Sequence, residues 1–205
     1  MRTAIFLALC LVAAPAAATP FTWQVEGTIT RVHNQSLADA YGYGGAFVPG
    51  QSFAWTITMD SAAPDYDPSA ACGHYAPITA MSFSSGTLGL ASSGKPGQDY
   101  LVNDAGQGGG CMPPYDDYAR IRADFGTNLF LSMHLGGLFP TDALAVSATG
   151  FSTGSLDFLV GGPGGPGSYG IASATVSSIV SSIPEPAGLL ALGVLWALHR
   201  RRTRR

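Results

Sequence analysis

YARIRADF, residues 118–125, decides the fold class. Ala119, Ile121, Ala123 and Phe125 occupy every second position, and Tyr118, Arg120, Arg122 and Asp124 fill the positions between them. Successive side chains of a strand point to opposite faces, so this period of two predicts a strand with an apolar face inward and a charged face outward. The same alternation runs through Phe21, Trp23, Val25, Gly27 and Ile29, and again through Phe53, Trp55, Ile57 and Met59. Further strand candidates are 78–84, 87–91, 99–103, 129–135, 143–149, 155–160 and 171–180. No stretch between residues 19 and 182 sustains a helical period.

Turn chemistry agrees with this reading. With 27 Gly, 14 Pro and only 11% charged residues, the chain is rich in turn formers and poor in surface helix formers. About ten short strands separated by Gly, Pro, Asn and Asp clusters predict an all-β domain rather than alternating βα units. The expected architecture is a two-sheet antiparallel sandwich with jelly-roll-like connections. Two long loops interrupt it, at 60–77 and 104–117, and GGPGGPG at 161–167 reads as a flexible turn.

Both ends of the chain carry targeting patterns. Residues 1–18 place Arg2 before an apolar stretch at 4–14 and the small residues Ala16, Ala17 and Ala18. This is the layout of a secretory signal peptide, cleaved after Ala18. The mature body is then a single domain at 19–182, long enough to bury a core of its own. The other end, 183–205, has three parts: Pro184, Glu185 and Pro186; the uncharged run AGLLALGVLWAL at 187–198; and HRRRTRR at 199–205. The prolines fix the start of a helix. At about 1.5 Å per residue the apolar run covers roughly 18 Å, short of the 30 Å hydrocarbon core, and length alone favours a buried core helix. Arg200, Arg201, Arg202, Arg204 and Arg205 directly after it decide for a membrane tail, with the arginines as a cytoplasmic stop-transfer block.

Pro-Glu-Pro, a short apolar helix and a terminal arginine cluster, in that order, resemble the PEP-CTERM sorting signal of Gram-negative bacteria. The resemblance implies recognition at Pro184, Glu185 and Pro186 by exosortase, a membrane-embedded protease and transpeptidase. It also implies a transient anchor in the inner membrane and delivery to the cell envelope, the surface or the extracellular matrix. The body is similar to a recurrent ectodomain of the same proteins, through GTIT at 27–30, PGQSFAWTITMD at 49–60, SFSSG at 82–86, VND at 102–104 and the pair Asp117, Tyr118. That likeness implies an extracellular β-sandwich with no assigned activity.

Removal of both ends exposes an acidic body. Between residues 19 and 183 four basic residues, Arg31, Lys95, Arg120 and Arg122, face twelve acidic ones, a formal net charge of −8. Such a body is no nucleic-acid binder. Cys72 and Cys111 remain as an even pair in an oxidising compartment, where a disulfide between the two long loops is the default. The alternative is that Cys72 and Cys111 are two ligands of a metal site, although only His74, beside Cys72, stands near either of them as a further ligand. Asp65, Asp67, Asp116 and Asp117 offer oxygen ligands to Ca²⁺, but without D-x-D-x-D-G spacing they read as solvated turn residues. No other metal and no cofactor is expected.

No nucleophile motif accompanies His33, His74 or His134, and His134 on a strand reads as structural. The sequon Asn34, Gln35, Ser36 carries no weight in a bacterial protein. Tyr41, Tyr43, Tyr66, Tyr75, Tyr100 and Tyr115 stand in or beside loops, where exposed rings suit stacking on sugars. Three functions follow. The first is an exported envelope or matrix protein with no catalytic activity, in contact with exosortase and extracellular polysaccharide. The alternative is an extracellular carbohydrate-binding module. The third is a glycoside hydrolase-like enzyme, which needs two positioned carboxylates.

Overall fold

The computed structural model describes residues 19–67, 72–93, 100–103, 118–125, 128–137, 151–161 and 169–182. The signal segment 1–18, the tail 183–205 and the strand candidate 143–149 lie outside the described residues. In chain order the elements are β1 (Pro20–Val32), α1 (Gln35–Ala40), β2 (Ser52–Asp60), β3 (Cys72–Tyr75), β4 (Ile78–Ser85), β5 (Leu88–Ser93), β6 (Tyr100–Asn103), β7 (Tyr118–Asp124), β8 (Leu129–Gly137), β9 (Phe151–Val160) and β10 (Tyr169–Ser182). The fold is all-β and antiparallel. Among the described residues no helix is long and apolar enough to cross a membrane.

Where two sheets with jelly-roll-like connections were expected, the described strands pair in one sheet, in the order β3-β6-β7-β8-β9-β10-β1-β2-β4-β5. Sequence neighbours are mostly sheet neighbours, and the two terminal strands, β1 and β10, pair in its middle. The periodic pattern fixes each strand's faces but says nothing about which strands pair, so one sheet and two sheets read alike in the sequence.

The sheet is strongly curled, and chain connectivity demands it. β3 and β4 stand eight strand spacings apart, about 38 Å across a flat sheet. Only Ala76 and Pro77 separate Tyr75 of β3 from Ile78 of β4, a span of roughly 10 Å at most. Side chains across the interior agree. Phe158 of β9 lies 6.4 Å from the Phe53 ring on β2 and 5.4 Å from the Phe83 ring on β4, centroid to centroid. The concave face is lined by the residues of the period-two pattern: Trp23, Val25 and Ile29; Trp55, Ile57 and Met59; Ala119, Ile121 and Ala123 are all buried.

Two paired irregularities bend the central ladder. Ser177 is the extra residue on β10 between Glu26 and Gly27, and Thr30 is the extra residue on β1 between Ile29 and Arg31. Each bulge puts a hydroxyl against a carbonyl of the opposite strand: Ser177 Oγ donates to the Glu26 carbonyl at 3.2 Å and Thr30 Oγ1 to the Ser173 carbonyl at 3.1 Å. Bulges of this kind increase local twist and help an antiparallel sheet to curl. Gly27 allows the close approach, because a Cβ there would collide with the Thr175 carbonyl and with the Phe53 ring that covers it.

α1 and the loop after it plug one end of the curl. Ala38, Tyr43, Ala46 and Phe47 are buried, and the Phe47 ring sits 4.5 Å from Phe158. The helix starts at Asn34, whose side chain accepts the Leu37 amide at 2.9 Å, a role for the apparent sequon that the sequence reading missed. Six residues are too few to display a helical period. β3 was likewise read as part of the 60–77 loop, because CGHY carries one large apolar side chain and no visible alternation.

Phe158 is the ring where β2, β4, β9 and the α1 loop meet. Phe158→Ala is expected to cost about 3–5 kcal/mol in urea unfolding, and Gly27→Ala about 1–3 kcal/mol through overpacking against backbone.

Candidate functional site

The outward face of β7, β8, β9, β10 and β1 gathers polar side chains that are far apart in sequence. Cross-strand register aligns Arg122 with Ser132, Ser132 with Asp157, Asp157 with Ser173 and Ser173 with Arg31. A second row aligns Arg120, His134, Ser155, Thr175 and Thr28. Directly opposed residues share a face, so each row is a rung of side chains crossing five strands, about 19 Å long at roughly 4.8 Å per strand. The sequence had placed Arg120 and Arg122 outward; the rest of the strip depends on pairing.

Hydrogen bonds knit the strip. Ser132 Oγ and His134 Nε2 share a bond of 3.2 Å, and His33 Nε2 and Ser173 Oγ one of 3.1 Å. Ser132, small between Arg122 and Asp157, is buried. Burial pushes the His134 imidazole below its ordinary pKa, Arg120 and Arg122 push it further, and Asp157 opposes them. His134 is therefore held neutral near pH 7, consistent with a hydrogen-bonded strand histidine.

Beside the strip, over the Ser177 bulge, lies an open groove of about 450 Å³. Hydroxyls of Thr28, Ser52, Ser84, Ser85 and Ser177 and the Glu26 carboxylate line it, together with Phe53, Ala54 and two glycines. Glu26, Asp157 and Asp124, two residues from Arg122 on β7, are acids of this surface. Glu26 and Asp157 stand two strands apart and about four residues apart along β10, which places their Cα atoms roughly 17 Å from each other. Paired glycosidase carboxylates sit about 5–9.5 Å apart, so these two do not form such a pair.

The other candidates are scattered. Asp65 Oδ1 accepts the amides of Asp67 and His74, both at 2.9 Å, and so ties the loop to β3. Asp116 and Asp117 lie outside the described residues. Among the described residues no three His, Cys, Asp or Glu side chains gather as metal ligands do. Cys72 opens β3 opposite Asn103, and Cys111 lies outside the described residues. Pro184, Glu185, Pro186 and the five terminal arginines lie outside them as well.

The loop tyrosines do not form one surface. Tyr43 and Tyr75 belong to the core, Tyr43 from the loop after α1 and Tyr75 as the last residue of strand β3. Tyr41 and Tyr66 are exposed, as is Tyr169, which the sequence reading did not single out. Tyr100 begins β6, and Tyr115 lies outside the described residues.

Comparison with protein-family models, with curated proteins and with solved structures gave no match. Function therefore rests on the chain's own chemistry.

A group whose folded pKa is depressed loses stability as pH falls below its unfolded value. For His134 the stabilising contribution is complete above about pH 6.5 and is lost as pH drops from there toward the lowered folded value. Urea unfolding at pH 7.5 and pH 5 should show this loss, and His134→Gln should remove that part of the slope.

Proposed function

We propose that the chain is an exported envelope or matrix protein without catalytic activity of its own, sorted and processed by exosortase at its C-terminal tail. In this reading the two halves of the curled sheet act as the layers of a β-sandwich ectodomain. The observation that carries the proposal is the tail itself: Pro184, Glu185 and Pro186, the 12-residue apolar run and the five arginines, behind a body that begins with a cleavable signal peptide.

The position of the two termini supports it. β1 starts two residues after Ala18, β10 ends two residues before Pro184, and Thr22 pairs with Ser182. Both membrane-directed segments thus leave the sheet side by side, a geometry that lets one domain stand at the membrane surface while both ends are still engaged. Processing at the tail spares every strand, because β10 is complete at Ser182.

An extracellular carbohydrate-binding module is the second reading. Its support comes from the hydroxyl-lined groove and strip, since the six tyrosines first suggested for it are divided between core and surface.

The proposal predicts that mass spectrometry of the chain from its native cells finds a C-terminus at or near Glu185. Substitution of Glu185 by Ala should leave HRRRTRR attached. An intact arginine tail on the mature wild-type chain would count against exosortase processing.

A further inference from the structure

The body is acidic, yet its described lysine and arginine residues are not spread over the surface. Arg31, Arg120 and Arg122 all stand on the one outward face formed by β7, β8, β9, β10 and β1. Arg31 and Arg122 form no ion pair or hydrogen bond among the described residues, and they mark the two ends of one rung. Between them the rung carries Ser132, Asp157 and Ser173, and the parallel row adds Ser155, Thr175 and Thr28. Thr28 also lines the groove of about 450 Å³, so strip and groove are continuous.

We propose that this face binds an acidic polysaccharide, with Arg122 and Arg31 meeting its carboxylates and the Ser and Thr side chains between them, together with the groove, meeting its hydroxyls.

The chemistry selects this ligand among polyanions. Guanidinium groups bind carboxylates through paired, charge-assisted hydrogen bonds. Hydroxyls donate and accept, and so match the hydroxyl groups of a sugar. Asp157 and Glu26 accept from sugar hydroxyls. Neither row carries a Phe, Tyr or Trp side chain, the broad platforms on which a single strand stacks its bases. Thr28, Ser155 and Thr175 are exposed, and Arg122, Asp157 and Ser173 are half-buried, which holds their polar atoms in place before a ligand arrives.

The proposal deepens the carbohydrate-binding reading and rests on the exported reading only for where the polymer would be met. Its test is a binding measurement in vitro, independent of how the tail is processed. The chain as recovered from exporting cells is titrated with polygalacturonate, with dextran as a neutral polysaccharide and single-stranded DNA as a polyanion without sugar carboxylates. Polygalacturonate should bind, and binding should weaken as salt rises past about 0.15 M, where the Debye length falls to about 8 Å. Dextran should bind far more weakly. The double substitution Arg31→Gln, Arg122→Gln should lower polygalacturonate affinity by at least about tenfold, with Trp23 and Trp55 fluorescence reporting that the core is intact. Thr175→Asp, which sets a carboxylate in mid-strip, should lower it as well, while Tyr66→Ala should leave it unchanged. Absence of polygalacturonate binding, equal affinity for DNA, or undiminished binding by the folded Arg31, Arg122 or Thr175 variants would each overturn the proposal.

Discussion

The pairing of β1 with β10 is the constraint on which the rest of the structure depends. It joins residues about 150 positions apart, and it links the half of the sheet built from β6 to β9 with the half built from β2, β4 and β5. Without it the described strands are two separate ladders, each with one bare apolar face. Closing so long a loop is entropically unfavourable, and the cost is offset only when both inner faces meet. Trp23, Val25 and Ile29 on β1 then pack into an interior that Phe158 reaches from β9. A chain of this topology completes its fold only after its last strand is available.

The two bulges in that ladder connect fold and surface. A uniform ladder of long strands twists but does not curl tightly enough to bring β3 within two residues of β4. The extra Ser177 and Thr30 supply the bend, and their hydroxyls satisfy the carbonyls that the irregular register leaves beside them. Ser177 also lines the groove on the outer face. The small side chains of the outward rows, mostly Ser and Thr, keep that face polar with few charges.

Much of the strand content was legible because one inward and one outward face force a period of two, as YARIRADF shows: Ala119, Ile121, Ala123 and Phe125 are buried and Arg120 and Arg122 point away. What lay beyond the sequence was pairing. Arg31, Arg122, Asp157 and Ser173 share a rung only through register, and no local pattern links positions so far apart. α1 and β3 were missed because six and four residues are too short to show a period. Tyr43 and Tyr75 were placed at the surface on loop composition, but the loop after α1 turns the Tyr43 ring into the core and Tyr75 ends a strand that the loop reading concealed. The C-terminal tail proposed as a sorting signal is the reverse case: its reading comes from the sequence alone and owes nothing to the fold.

Hydrogen exchange of the backbone amides along β1 tests the central claim most directly, since that strand is hydrogen-bonded on both sides only if the terminal strands seal one continuous sheet. The account predicts that peptides covering β1 exchange as slowly as those covering β8, through a single cooperative opening of the whole sheet. Exchange in β1 that is orders of magnitude faster than in β8, with β8 still protected, would contradict it.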